Sequence, residues 1–296
     1  MMARWKDLAR RGLMALMGGP TLALGPRDGV VVERLAPLES RLLGETRTID
    51  VYLPRGYATD TARSYPVLYA NDGQDMEAVH LAGALDSLQR SGRMAPVIVV
   101  AVHATERVLD YGTAYVPNAQ GLGNRADRYG QFLLVELMPL IEQRYRAEPE
   151  PSHTAIMGWS LGGLSAFDLA WRYPDRFSRV GVFSGSFWWR TDDTDAAAKQ
   201  ASRIMHRRIR ETPGSPALHM WFQTGLRDEH ADRDGDGVID AVQDTEELVI
   251  ELERKGYRRG RDMVHLTVEG THDLMTWKRL LPEWLVWAFP AGRSEP

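Results

Sequence analysis

The residues best suited to chemistry lie at Gly158-Trp159-Ser160-Leu161-Gly162, with Gly163 next. An apolar run, TAIMGW at 154–159, precedes the serine, and an amphipathic run, LGGLSAFDLAWRY at 161–173, follows it. A strand that turns into a helix through G-x-S-x-G is the setting of a nucleophile elbow. The turn is too tight for side chains two residues either side of the serine, which accounts for the glycines. It lifts Ser160 above the C-terminal edge of a sheet, with the N-terminus of the next helix aimed at it. The Leu161 N–H is then one donor for a developing oxyanion.

A serine nucleophile needs a base, and the base needs an orienting group. At an elbow of this kind the chain order is serine, acid, histidine, each at a strand end. His80, His103 and His153 precede Ser160 and are out of order. His206 and His219 fall on or beside helix and strand bodies, and His265 lies within the last strand-like run. His272, in EGTHD at 269–273, follows that run directly and is the well-placed base. The acid should leave the strand-like run at 218–224. The residues there are Gly225-Leu226-Arg227-Asp228-Glu229, and Asp228 is the expected acid with Glu229 as its competitor.

The second oxyanion donor should come from the turn after the third of the long strand-like runs, Asn71-Asp72-Gly73-Gln74-Asp75. The Gln74 N–H is the candidate, with Gly73 permitting a close approach. Aromatic residues near this edge are expected substrate contacts: Trp188, Trp189 and Tyr111. Trp159 is read as scaffold. Arg107 and Arg190 are read as solvated surface groups rather than anion holders.

A second constellation is DRDGDGVID at 232–240. Aspartates at loop positions 1, 3, 5 and 9, with glycine at 6, come close to a calcium loop. The expected ligands are Asp232, Asp234, Asp236, Val238 through its carbonyl, and Asp240. Gln243 stands where such a loop carries a bidentate glutamate, and no helix precedes it, so a paired EF-hand is excluded. The competing reading is a solvated acidic loop. Calcium there would fix the acid-bearing loop without touching substrate.

Elements that could position these residues are legible along the chain. Strand-like runs lie at 30–35, 48–53, 66–71, 96–103, 154–159, 180–184, 218–224 and 263–268. Several are continuous apolar runs, such as VIVVAV at 97–102, which suit strands buried on both faces. Helix-like runs lie at 76–90, 127–146, 161–173, 195–210, 245–255 and 274–287. The pattern predicts an α/β fold: one mostly parallel sheet of about eight strands, flanked by helices, with a hairpin at its N-terminal edge.

The 296 residues carry 44% hydrophobic and 26% charged side chains, ordinary for a globular chain able to bury a sizeable core. Net charge is −4, and basic residues form only short pairs such as Arg207-Arg208. A nucleic-acid partner is therefore not expected. The absence of cysteine excludes disulfides, a thiol nucleophile and Cys-ligated zinc. No uncharged apolar run is long enough to span a membrane. The N-terminal segment 1–29 reads as a helix or a weak signal-like stretch: Arg4, Lys6, Arg10 and Arg11 precede an apolar run. Asp7, the Gly18-Gly19-Pro20 break and the lack of an A-x-A site count against a signal, so a cytoplasmic protein is expected over an exported one. Residues 30–290 read as one domain and 291–296 as a tail.

The stretches RTIDVYLPRGY (47–57), YPVLYANDGQ (65–74), 128–146, 158–163, FSRVGVFSGSFWW (177–189) and GTHDLMTW (270–277) form a specific set. Through them the chain resembles the α/β-hydrolase esterase family that includes enterochelin-esterase-like enzymes, feruloyl and acetylxylan esterases, and the antigen 85 acyltransferases. The resemblance spans residues 30–290. It implies an α/β-hydrolase fold and a serine esterase that needs no cofactor for its chemistry. It also implies Ser160, Asp228 and His272 as triad, and Gln74 and Leu161 as oxyanion donors. The expected partner is a small-molecule ester, small or aromatic or sugar-linked. The chain has no room for the large N-terminal accessory domain of the iron-siderophore esterases, which counts against a siderophore substrate. An acyltransferase with the same triad, or an inactive scaffold working through the acidic loop, are the alternatives.

Overall fold

The computed structural model describes residues 29–292 and the backbone of residues 22–24. The expected N-terminal segment and tail therefore fall largely outside the described residues. Within that segment Leu22–Leu24 is a short strand, β1, rather than helix.

The strands are β1, β2 (Val31–Arg34), β3 (Leu38–Ser40), β4 (Glu45–Arg47), β5 (Ile49–Leu53), β6 (Val67–Ala70), β7 (Ile98–Val102), β8 (Thr154–Trp159), β9 (Arg179–Phe183), β10 (His219–Arg227) and β11 (Met263–Thr271). All but β3 and β4 form one sheet in the order β1-β2-β5-β7-β6-β8-β9-β10-β11. β6 to β11 run parallel to one another, while β5 is antiparallel to β7 and β2 to β5. β3 and β4 make a separate small hairpin. The eight expected strands all form; the apolar runs of β5, β6, β7 and β8 are buried along their whole length, whereas β2 and β11 are mostly half-buried.

The helices are α1 (Leu81–Arg90), α2 (Arg107–Asp110), α3 (Ala126–Gln131), α4 (Met138–Arg144), α5 (Leu161–Arg172), α6 (Ala196–Ala201), α7 (Ile204–Glu211), α8 (Asp240–Arg254) and α9 (Leu274–Ala288). α1 and α9 cover one face of the sheet through residues such as Leu85, Leu281 and Trp284. α3 to α5, α7 and α8 cover the other through Phe132, Leu164, Phe167 and Leu248. This is the α/β-hydrolase fold.

Four expected helices differ in detail. The run at 76–90 becomes an α-helix only at Leu81, because His80 takes the left-handed region at φ 61°. The run at 127–146 is interrupted by a π-helical turn, Phe132–Leu137, where the Met138 N–H reaches back to Leu133. Pro139 follows, with no N–H to complete an ordinary ladder. The run at 195–210 breaks at Arg203, whose extended backbone sends a buried guanidinium to Asp244. The helix expected at 245–255 begins earlier, at Asp240.

The strand order reverses at β6, which has β7 on one side and β8 on the other. In an open α/β sheet, the crevice beyond the strand ends at such a reversal is where ligands bind. The turn after β6 and the elbow after β8 both open there.

Candidate active site

Ser160 has φ 55° and ψ −126°, a strained conformation for a residue with a side chain. It persists because the neighbouring backbone over-determines it. The Ser160 N–H donates to the Phe183 carbonyl at 2.9 Å, and its carbonyl accepts from Leu164 at 3.0 Å. A Cβ on Gly158 would lie 2.3 Å from the Gly162 carbonyl oxygen, so strand and helix close on one another only through glycine. The Ser160 hydroxyl lies 3.4 Å from the buried Ser186 hydroxyl. Leu161 opens α5, and the first N–H groups of a helix have no intrahelical partner.

The last two strands bring Asp228 and His272 together. β10 and β11 are parallel neighbours, with Arg227 opposite Thr271 after an irregularity at Gly225. The residues that follow this pair are Asp228 and His272. Asp228 Oδ2 lies 3.9 Å from His272 Nδ1, an ion-pair separation longer than a hydrogen bond. The Asp228 side chain is buried, and its Oδ2 accepts from the Gly225 N–H at 3.0 Å. Its Oδ1 is shut off from solvent with no hydrogen-bond partner among the described residues. A buried acceptor left unpaired costs about 1–3 kcal/mol, so the carboxylate is primed for a donor.

His272 rests edge-on against Trp277, with ring centroids 5.2 Å apart. Trp277 stacks on Trp159 and donates through Nε1 to Ser184 Oγ at 2.9 Å. Asp273 caps α9 by accepting from the Thr276 N–H at 2.8 Å, which anchors the histidine's loop. Among the described residues no hydrogen bond joins Ser160 to His272. Catalytic contacts in unliganded sites are commonly long and tighten on substrate binding.

The turn after β6 carries Gln74 beside the elbow. Asn71 Nδ2 donates to the Gly162 carbonyl at 2.8 Å, and Tyr129 donates to Asn71 Oδ1. Asp72 is buried in the left-handed region at φ 57°, and its N–H donates to Tyr111 Oη at 3.0 Å. Its carboxylate takes two bonds from Arg107, Nε to Oδ1 at 2.8 Å and Nη2 to Oδ2 at 3.2 Å. Arg107 Nη2 also donates to the Trp159 carbonyl at 3.0 Å. Burial pushes the Asp72 carboxyl above its ordinary range, and Arg107 opposes that shift. The Gln74 side chain is held at both ends, by Asp72 Oδ1 and by the Ala104 N–H. A cavity of about 440 Å³ borders this turn, with Gln74, Met76, Tyr52 and His103 in its wall.

Several expectations are corrected here. Tyr111 is fully buried behind the Asp72 backbone and Trp189 is buried against Gly112 and Gly123, so neither offers a face to substrate. Trp188 is half-buried beside Trp189. Trp159 is scaffold, as expected. Arg107 and Arg190 are not solvated surface groups but are paired, with Asp72 and Asp193 respectively. Of the five expected calcium ligands, Asp232, Asp234 and Asp236 have carboxylate oxygens within 4.8 Å of one another. Asp240 is drawn instead to Arg233 at the start of α8, and the Val238 side chain is exposed.

The sequence reading missed Asn71, Asp72, Arg107 and Ser186 as parts of the site. The available signal was a polar pair, Asn71-Asp72, ending the otherwise apolar run VLYA.

Comparison with known proteins agrees with this fold. Uncharacterized protein YbbA of Bacillus subtilis is 26% identical over 147 residues, which are 48% of this chain and 58% of that protein. An endo-1,4-beta-xylanase/feruloyl esterase of Xylanibacter ruminicola is 26% identical over 169 residues, 54% of this chain and 22% of that protein. The chain thus spans little more than half of the first relative and about a fifth of the second. A solved ferulic acid esterase superposes with a TM-score of 0.67 at 21% identity, covering 88% of this chain and 97% of that one. A family model described as "Putative esterase" matches residues 40–288, most of the chain, and the chain belongs to that esterase family.

Proposed function

We propose that this chain hydrolyses carboxylic esters through an acyl-enzyme on Ser160. Ser160 Oγ attacks the ester carbonyl while His272 takes its proton. The N–H groups of Gln74 and Leu161 receive the oxyanion. His272 then gives the proton to the departing alcohol, and water, activated by His272, releases the acid. Asp228 holds the imidazole and stabilises its protonated form. What supports this reading is a strained serine elbow at the end of β8 and, separately, an Asp–His pair set by the adjacent ends of β10 and β11.

Hydrolysis is favoured over acyl transfer because 36% of the His272 side chain is open to solvent, so water reaches the base. Leu226 and Met275 are exposed on the segments that carry the proposed acid and base, alongside the exposed Arg227–Glu269 ion pair. These exposed apolar groups suit small or aromatic esters. The chemistry uses no cofactor. For the acidic loop we propose a structural calcium ion held by Asp232, Asp234 and Asp236, with no part in the reaction.

The test is hydrolysis of p-nitrophenyl acetate and butyrate by wild type and Ser160→Ala. A loss of several orders of magnitude in the variant is expected, since triad members act as a unit. Equal rates in both proteins would refute the serine mechanism.

A further inference from the structure

The turn after β6 and the elbow after β8 each supply one proposed oxyanion donor, Gln74 and Leu161. An oxyanion hole works only if its donors keep a fixed spacing and the charge around them favours an anion. Both conditions are under pressure here. The two turns belong to segments far apart in sequence. Between them sits a buried carboxylate: a Cβ on Gly162 would lie 2.4 Å from Asp72 Oδ2, so Asp72 lies against the first turn of α5. An uncompensated negative charge there would oppose the charge that develops on the substrate carbonyl.

Arg107 meets both pressures. Its guanidinium holds the Asp72 carboxylate through two hydrogen bonds and the Trp159 carbonyl through a third. Asp72 precedes Gly73-Gln74, and Trp159 precedes Ser160-Leu161. One planar cation therefore spans the residues just upstream of both donors. The fork geometry matters, because an ammonium is a point charge and cannot make the same three directed contacts. Arg107 also lies over the Tyr111 ring, 5.6 Å from its centroid, and Tyr111 in turn accepts from the Asp72 N–H. Asn71 and Tyr129 supply a second, uncharged tie to Gly162 that does not depend on Arg107.

We infer that Arg107 is a positioning residue for ester hydrolysis, one that sets the spacing of the Gln74 and Leu161 donors and cancels the charge of Asp72 beside them. This rests on the serine-esterase reading above. It assigns Arg107 no contact with substrate.

The experiment compares Arg107→Lys, Arg107→Met and the double variant Arg107→Met/Asp72→Asn with wild type and Ser160→Ala, using p-nitrophenyl butyrate. For Arg107→Met, kcat is expected to fall about a hundredfold with KM within about twofold, the scale of a lost oxyanion donor. Affinity for a trifluoromethyl ketone, which forms a tetrahedral adduct, should fall by the same factor as kcat/KM. Arg107→Lys should lose about tenfold, keeping the charge without the fork. Measured at alkaline pH, where Asp72 ionises despite its burial, the double variant should recover about tenfold over Arg107→Met, because no uncompensated carboxylate remains. A purely structural role would lower the melting temperature without this split, and the second substitution would not restore kcat. The inference is overturned if kcat of Arg107→Lys and Arg107→Met stays within about threefold of wild type, or if folded Arg107→Met gains nothing from Asp72→Asn. If Arg107→Met does not fold, Arg107→Lys and the double variant decide between the same outcomes. Activity retained by Ser160→Ala would refute the underlying mechanism instead.

Discussion

Asp228 and His272 meet because Arg227 and Thr271, the residues before them, are opposite one another on parallel strands. The sheet, more than either loop, sets their approach. Glu229, the rival acid, is turned away to the backbone of Ala241 at the start of α8, and burial pushes its carboxyl above the ordinary range. Asp228→Asn is therefore expected to lower kcat for p-nitrophenyl butyrate by about a thousandfold or more. Glu229→Gln should stay within about threefold, since the His272 charge is the weakest of the influences acting on Glu229, behind burial and Asp240. The reverse ranking would make Glu229 the acid.

Gly162→Ala places a methyl group 2.4 Å from the Asp72 carboxylate, which Arg107 holds in place. Overpacking of this kind costs about 1–3 kcal/mol. Both the melting temperature and kcat should drop, as the elbow moves off the turn after β6. A variant with wild-type melting and rate would mean that this contact is not made in solution.

His206 is buried with its Nε2 at the Asp244 carbonyl. Burial holds its pKa well below 6.5, with Arg203, Arg210 and Arg233 adding repulsion and the Asp244 carbonyl opposing. The unfolded chain binds that proton first, so stability falls as pH drops below about 6.5, by up to about 1.4 kcal/mol per pH unit. Melting curves from pH 7 to pH 5 should show the decline, and His206→Gln should flatten it. An equal slope in both proteins would locate the acid sensitivity elsewhere.

Three carboxylates gathered within 4.8 Å in water repel one another unless a cation joins them. With calcium at a hundredfold excess over its Kd, the melting temperature should rise by about 4 °C. The rise should vanish in Asp234→Asn, while kcat in calcium-free buffer stays unchanged. Identical melting in calcium and in EGTA would leave the loop a solvated one.

The legible parts of the molecule were those written in short range. The eight long strands announced themselves as apolar runs, and the elbow as a pentapeptide between a strand and a helix. The strands β1, β3 and β4, of three residues each, are too short to leave a pattern. The break at Arg203 depends on Asp244, forty-one residues on in the chain. The tie among Asp72, Arg107 and Trp159 was invisible for the same reason, since each is an ordinary residue until the fold brings them together. Tyr111 and Trp189 were misjudged because a loop position says nothing about which way a ring faces.

The order of assembly follows from where the parts lie along the chain. The serine and its two proposed N–H donors belong to the turns after β6 and β8, whereas the proposed acid and base leave β10 and β11, which are translated later than both. A nascent chain can therefore complete its elbow and remain chemically silent. On the proposed mechanism, competence waits until β11 docks beside β10 and brings His272 to Asp228.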